Sequence, residues 1–237
     1  MDVQYTDTGQ RRRVLDTVRK VVVKVGTRLL TNGEAGSKQA RVKQLVAQIA
    51  RLRERGLDVI LVSSGAIGAG MVTLGTRKRP RAVPRLQALA AVGQSRLMYL
   101  YENACVAHGF HCAQVLLTAA DVQDRERHLN LTSCIDALLT SGLLPIINEN
   151  DSVSVDEIRF GDNDTLAALV AALAKADLTI LLTTVDGLHE MHNGSLGKRI
   201  SVVPRLTPDI RAWAGDTRDR HFSVGGMATK LEAAELV

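Results

Sequence analysis

Hydrophobic positions along this chain follow two spacings. Short apolar runs rich in Val, Ile and Leu are typical of buried strands, and apolar residues three and four apart are typical of helices. Strands are predicted at residues 20–25, 57–63, 112–117, 143–147, 178–183 and, as a short strand or hairpin arm, 198–203. Helices are predicted at residues 38–55, 85–107 with an interruption near Gly93, 128–140, 165–175 and 226–237.

The alternation of strands and helices predicts an α/β fold with a mainly parallel sheet sandwiched between helices, in three αβα layers. The composition agrees, because 46% of the residues are apolar and only 3% aromatic, which gives a core of Ala, Val and Leu. No repeat or long linker interrupts the pattern. We therefore expect a polar extension over residues 1–19 and one domain over residues 20–237.

Composition narrows the class of protein further. The net charge is +5, with basic residues concentrated at 11–13 and 77–81, and such runs either face solvent or attract an anionic substrate. The pattern argues against nucleic-acid binding, because no aromatic residues interleave with the basic ones. No apolar run approaches the roughly 18 residues of a membrane span, and no signal peptide is evident. Three cysteines without metal-ligand spacing suggest buried free thiols and a cytoplasmic protein.

The richest polar segment runs from residue 146 to residue 164. It contains six carboxylates and three asparagines, and it follows an apolar strand and leads into an apolar helix. In an α/β fold this is where ligands bind, beyond the carboxyl end of a strand. The alternative is an acidic surface loop with a helix cap at Asp164.

Glycine-containing turns suggest where an anion would bind. They occur at Gly26, at Gly65 and over residues 224–230, close to predicted helix starts where backbone N–H groups can approach a phosphate. Lys24 ends an apolar strand and Lys230 follows the last turn. Either Lys24 reaches solvent along the sheet, or it binds phosphate. Two lysines, carboxylates and anion-binding turns are the parts that phosphoryl transfer needs.

Six motifs in order then resemble one family. The segments KVGTRLL, VSSGAIGAG, AAVGQSRLM, LLPIINENDSV, FGDNDTLAALVA and GGMATK resemble the glutamate 5-kinase (γ-glutamyl kinase) branch of the amino-acid kinase superfamily. The resemblance covers roughly residues 20–237. It implies phosphorylation of the γ-carboxylate of L-glutamate with ATP and its Mg²⁺, the first step of proline biosynthesis.

The resemblance also implies roles for individual residues. Lys24 would bind the transferring phosphoryl group, Lys230 would neutralise the leaving phosphate, and Asp164 would orient both lysines. The phosphoryl oxygens would be bound by the backbone of Gly26 and Gly65. Glutamate would be held by Ser64, Asp151 and Asn163. The ATP site would be lined by Lys24, Thr183, Thr184, Val224, Gly225, Gly226, Met227, Ala228, Thr229 and Lys230, and no protein metal ligand is expected.

Three residues depart from the family's pattern beside the nucleotide: Thr184 replaces Asp, Val224 replaces Thr and His189 replaces Tyr. The resemblance further implies that residues 20–237 lack the domain's last elements and a PUA domain. Because this would leave a sheet edge unpaired, we expect a homo-oligomer; feedback inhibition by proline is also implied. The alternatives are another acceptor, such as aspartate, N-acetylglutamate or a phosphate monoester, or a non-catalytic nucleotide or amino-acid binding module.

Overall fold

A computed structural model describes residues 8–31, 35–153, 163–192, 195–215 and 226–237. Its strands are β1 (Lys20–Val25), β2 (Asp58–Ser63), β3 (Cys112–Leu117), β4 (Leu144–Glu149), β5 (Leu178–Leu182), β6 (His189–His192) and β7 (Ser195–Arg199). Its helices are α1 (Thr8–Thr17), α2 (Thr27–Thr31), α3 (Ala35–Glu54), α4 (Ala66–Thr73), α5 (Val83–Val106), α6 (Ala119–Gln123), α7 (Arg125–Thr140), α8 (Asn163–Ala174), α9 (Pro208–Gly215) and α10 (Met227–Glu235).

Within these ranges the main sheet has five strands in the order β3-β4-β2-β1-β5, and every pairing between them is parallel. The predicted parallel α/β architecture is therefore confirmed. β1 lies between β2 and β5, and Val25 pairs with Ser63 on one side and with Leu182 on the other. The carboxyl ends of these three strands are thus side by side.

Alternation along β1 divides the core into two layers. Val21, Val23 and Val25 pack with buried residues of α3 and α5, whereas Val22 packs with buried residues of α7 and α8. Side chains two residues apart share a face of a strand. Lys24 therefore lies on the same face as Val22, which is the face covered by α8.

Helix α5 is continuous across Gly93, so the predicted interruption there is wrong. A Cβ atom at Gly93 would lie 1.7 Å from the carbonyl oxygen of Ala66, and one at Gly70 would lie 2.0 Å from that of Leu89. These glycines let the backbones of α4 and α5 meet directly. Glycine at position 93 serves helix packing and does not break the helix.

Other boundaries also differ from the prediction. β4 continues to Glu149 because Asn148 and Glu149 still pair with Leu116 and Leu117 of β3. The arm predicted at residues 198–203 is β7, which forms an antiparallel hairpin with β6. The sequence pattern missed β6 and the helices α2, α6 and α9, which are too short to show a full apolar period. α7 begins earlier than predicted, at a cap made by Asp124.

A smaller apolar cluster lies outside the two main layers. It contains the buried residues Leu188, Ile200 and Ile210, with Met227 and Leu231 of α10 packed against them. The cluster joins the β6–β7 hairpin, α9 and α10. One end of α1 also reaches this part of the chain, where Arg11 donates a hydrogen bond to the carbonyl of Ser201 at 2.7 Å.

None of the helices in the described ranges is both long and apolar enough to cross a membrane. All three cysteines are free thiols, as expected, but only Cys105 is buried. Cys112 is half-buried and Cys134 is exposed, so the expectation that all three are buried is wrong. Cys134 lies on the outer surface of α7.

Candidate active site

A buried carboxylate joins two lysines at the end of the sheet. Asp164 Oδ1 lies 2.6 Å from Lys24 Nζ, and Asp164 Oδ2 lies 2.9 Å from Lys230 Nζ. The Asp164 side chain is fully buried, and those of Lys24 and Lys230 are 9% and 16% exposed. The alternative in which Lys24 extends to solvent is therefore wrong.

The position of Asp164 also excludes the simple helix-cap alternative. α8 begins at Asn163, so Asp164 lies within the first turn and its oxygens point toward the lysines. Burial alone would favour the neutral acid. The charge and hydrogen bond of Lys24, and then those of Lys230, outweigh this and hold the pKa of Asp164 below its ordinary value. With all three groups ionised, the triad Lys24–Asp164–Lys230 carries one excess positive charge, which favours an anion.

Two glycines follow the ends of β1 and β2, and one of them, Gly26, lies beside Lys24. A Cβ atom at Gly26 would come within 3.9 Å of Lys24 Nζ, so glycine keeps the space before the ammonium open. Gly65 adopts φ +111° at the N-terminus of α4, a conformation that favours glycine. The amide of Ser64 donates to the carbonyl of Val25 at 3.1 Å, which fixes the second turn against the first.

The N-terminus of α10 contributes the third part of the triad. Lys230 is in its first turn. The Thr229 hydroxyl has two acceptors within reach of its single hydrogen, Asp164 Oδ2 at 3.3 Å and the Gly226 carbonyl at 3.0 Å. Met227 packs into the small apolar cluster, and Ala228 is exposed. Val224 and Gly225 lie outside the described residues, so their predicted nucleotide contacts remain predictions.

Thr183 and Thr184 follow β5 directly, at the same edge of the sheet as Gly26. Thr183 is half-buried and Thr184 is exposed. His189 begins the neighbouring hairpin; its Nε2 lies 2.9 Å from Asp186 Oδ1 and its Nδ1 lies 3.0 Å from the Gly197 carbonyl. These two contacts, the carbonyl first, raise the pKa of His189.

The structure describes the two ends of the acidic segment, which belong to different elements. Asp151 is in the turn after β4, and Asn163 begins α8; residues 154–162 between them lie outside the described part of the chain. Asn163 Nδ2 donates to Asn148 Oδ1 at 2.8 Å, and Asn148 Nδ2 donates to Gln94 Oε1 at 3.1 Å. The candidate substrate residue Asn163 is thus connected to α5.

Sequence reasoning missed Gln94, Asn148 and the threonine contact to Asp164. A signal for Gln94 was available, because it lies at helical spacing from Ala90, Leu97 and Tyr101, all of which are buried. A glutamine on such a stripe needs a polar partner. The buried contact between the hydroxyls of Tyr101 and Ser63, at 2.8 Å, was marked by no comparable pattern.

Residues 19–237 match the protein family described as the amino acid kinase family, and the chain belongs to it. It is 47% identical over 227 residues to a glutamate 5-kinase of Trichlorobacter lovleyi, covering 95% of this chain and 60% of that protein. It is 43% identical to a glutamate 5-kinase of Clostridium acetobutylicum, covering 95% of this chain and 85% of that protein. The predicted membership of the glutamate 5-kinase branch is therefore confirmed.

The chain spans 60–61% of the length of several of these relatives, including the glutamate 5-kinase of Methylococcus capsulatus, to which it is 47% identical. Two solved structures share its fold. Carbamate kinase from Giardia lamblia bound to AMP-PNP matches with a TM-score of 0.56 and 20% identity, covering 93% of this chain and 88% of that chain. The Aeropyrum pernix protein APE1968 matches with a TM-score of 0.57 and 18% identity, covering 91% and 89%.

Proposed function

We propose that this protein transfers the γ-phosphoryl group of ATP to the γ-carboxylate of L-glutamate, giving γ-glutamyl phosphate and ADP in the first step of proline biosynthesis. The observation that carries the proposal is the buried Lys24–Asp164–Lys230 triad with its excess positive charge. Phosphoryl transfer depends on positioning and on charge neutralisation, and this triad, held by three different elements, is suited to both.

The acceptor chemistry requires little from the protein. A glutamate side chain has a pKa of about 4.3 in solution, so its γ-carboxylate is already ionised at neutral pH and needs no general base. One of its oxygens forms the new bond to the γ-phosphorus, and the bond from that phosphorus to the bridging oxygen of ADP breaks. Lys24 would bind the transferring group, and Lys230 would neutralise charge on the leaving phosphate.

The backbone turns would hold the phosphoryl oxygens. Gly26 is next to the Lys24 ammonium, and Gly65 opens α4, whose N-terminal amides and dipole favour an anion. Ser64, Asp151 and Asn163 would bind glutamate. Their attachment to β2, β4 and α8 puts all three at the carboxyl edge of the sheet.

The nucleotide would bind on the other side of the triad, against Thr183, Thr184 and the start of α10. Among the described residues, no group of three His, Cys, Asp or Glu side chains is arranged to hold a metal ion. Both oxygens of Asp164 already contact lysines. Mg²⁺ would therefore enter as part of the nucleotide, with phosphate oxygens among its ligands, and supply further neutralisation of phosphate charge.

The test measures acyl phosphate directly. The protein is incubated with MgATP and glutamate, aspartate or N-acetylglutamate, and hydroxylamine traps any acyl phosphate as a hydroxamate. We expect product with glutamate and little with the other two. Lys24→Ala should lower kcat about 100-fold or more, because one preorganised charge is lost. Lys20→Ala, at the opposite end of the same strand, is the control.

If the protein phosphorylates aspartate or N-acetylglutamate faster than glutamate, glutamate is not the preferred acceptor and the proposal is wrong on that point. Binding of ATP and amino acid with no acyl phosphate from any acceptor would favour the non-catalytic module. Near-normal kcat in Lys24→Ala would make that lysine a structural residue. Homo-oligomer formation and inhibition by proline remain predictions.

A further inference from the structure

A glutamine is buried in α5 where the apolar stripe of the helix faces the sheet. Gln94 is only 8% exposed, and its Oε1 accepts a hydrogen bond from Asn148 Nδ2, whereas its own Nε2 has no hydrogen-bond partner among the residues that the structure describes. A buried N–H group without a partner is less stable than a satisfied one, because it has lost its hydrogen bond to water and gained none in return. Glutamine at this position is therefore not explained by packing, since an apolar residue would avoid that cost.

Gln94 is the first of three side-chain amides that point the same way. Asn148, which is 3% exposed, donates to Gln94 and accepts from Asn163 at 2.8 Å. An amide has its oxygen on one side and its NH₂ group on the other. Because Gln94 Oε1 engages the Asn148 nitrogen, the Asn148 oxygen is directed to Asn163. Asn163 must then use its nitrogen on Asn148, which leaves its oxygen for another partner.

Gln94 comes directly after Gly93, the residue at which the backbones of α4 and α5 are in contact. Its neighbour Gly93 lies against the backbone of Ala66, the first residue of α4, and α4 follows the Ser64–Gly65 turn. Gln94 is thereby connected to two candidate substrate-binding residues. The backbone contact of α5 with α4 connects it to Ser64, and the amide hydrogen bonds connect it to Asn163. It touches neither reacting group.

We propose that Gln94 is a positioning residue that sets the direction of the Asn163 amide, through Asn148, so that the Asn163 oxygen faces the substrate. This inference rests on the proposed function and deepens it. With both carboxylates ionised, the α-ammonium is the only hydrogen-bond donor of glutamate. An outward oxygen on Asn163 would therefore accept a charge-assisted hydrogen bond from the α-ammonium of glutamate, and an outward NH₂ group would oppose that ammonium.

Substitutions can distinguish the role of the Gln94 oxygen as a hydrogen-bond acceptor from the role of the side chain in packing. Gln94→Met keeps the length of the side chain but removes the acceptor, so Asn148 is free to turn over and reverse Asn163. Gln94→Glu keeps an acceptor oxygen. Asn148→Asp can only accept from Asn163 when ionised, so it fixes the direction of Asn163 without help from Gln94. Gln44→Met, at an exposed position of α3, is the matched control.

The wild-type protein is first assayed for γ-glutamyl phosphate by hydroxylamine trapping, and KM for glutamate, KM for ATP and kcat are then measured for each variant. We expect Gln94→Met to raise KM for glutamate about tenfold or more, the loss of one charge-assisted hydrogen bond. KM for ATP should change less than about twofold. Gln94→Glu should restore most of the affinity, and Gln94→Met should have little further effect in the Asn148→Asp protein.

An unchanged KM for glutamate in Gln94→Met would overturn the inference. So would equal damage by Gln94→Glu, or the same effect of Gln94→Met with and without Asn148→Asp, since each would assign Gln94 to packing. If Gln94→Met does not fold, Asn148→Leu breaks the same connection and should raise KM for glutamate at least as much. Absence of acyl phosphate in the wild-type assay would instead overturn the proposed function, and this inference with it.

Discussion

Two neighbouring residues at the start of α8 belong to two different networks. Asp164 joins the ammonium groups of two lysines, whereas Asn163 joins the side-chain amides of Asn148 and Gln94. Both networks are largely buried, but the first carries net charge and the second carries none. Charge attracts an anion from any direction, whereas an amide discriminates by the direction of its donors and acceptors. In the proposed function, one helical turn would thus combine an attraction for phosphate with a directional contact for an amino acid.

The charged network should respond most strongly to substitution. Asp164→Asn keeps the shape of the side chain but leaves two ammonium groups close together without their carboxylate. Breaking a buried ion pair in this way costs about 3–5 kcal/mol, and we expect kcat to fall by roughly 1000-fold. Thermal unfolding and the hydroxamate assay measure the two effects.

A matched control exists for that substitution. Asp209 is the second residue of α9, as Asp164 is of α8, but it is exposed. Asp209→Asn should leave both the melting temperature and kcat nearly unchanged. Equal effects of the two substitutions would show that the first-turn charge matters and the lysine contacts do not.

Displacing α5 should disturb the amide network of Gln94, Asn148 and Asn163 without breaking the Lys24–Asp164–Lys230 triad. Gly93→Ala introduces a methyl group where only 1.7 Å separates it from the Ala66 carbonyl, so the helices must move apart. We expect a loss of about 1–3 kcal/mol and a melting temperature lower by roughly 2–12 °C. Calorimetry should show weaker glutamate binding with ATP binding retained. Ser95→Ala, at an exposed position of α5, is the control; equal weakening of both ligands would contradict the separation.

An ion pair outside the core should show the smallest effect. The Gly197 carbonyl and the Asp186 carboxylate raise the pKa of His189. Any stabilisation from this charge is therefore complete below the ordinary histidine pKa of about 6.5 and is lost as the pH rises through the raised value. An NMR titration of the His189 ring should give a midpoint above about 6.5, and Asp186→Asn should lower it. A midpoint at or below that value would contradict the contact.

The sequence predicted the sheet well because β1, β2 and the first part of β4 are buried apolar runs, and burial of both faces leaves a strong pattern. It also indicated that Lys24 needs a partner, since an ammonium in an apolar strand is costly to bury. The hydrophobic pattern alone could not show that Asp164 is that partner, although the family resemblance implied it, and the ion pairs agree with the resemblance. The pairing depends on which face of β1 is covered by α8, and it joins residues 140 positions apart.

The hydrophobic pattern could not predict features that depend on tertiary contacts. Gly93 looks like a helix break in a linear sequence, and only the contact with Ala66 shows why a glycine stands there. The β6 strand carries His, Glu, Met and His, so it has no apolar alternation, and its pairing with β7 decides its conformation. The hydrogen bonds that join the amides of Gln94, Asn148 and Asn163 likewise connect residues distant in sequence.

Helix α10 has a consequence for how the site can be turned off. Its apolar side packs with the hairpin and α9, while Lys230 and Thr229 attach it to Asp164. Local unfolding of α10 alone would remove one ammonium and leave Lys24 and Asp164 as a neutral pair, with the parallel sheet still intact. The attraction for phosphate would then disappear before the protein unfolds. The affinity of the site for phosphate would therefore report whether α10 is packed against the rest of the protein.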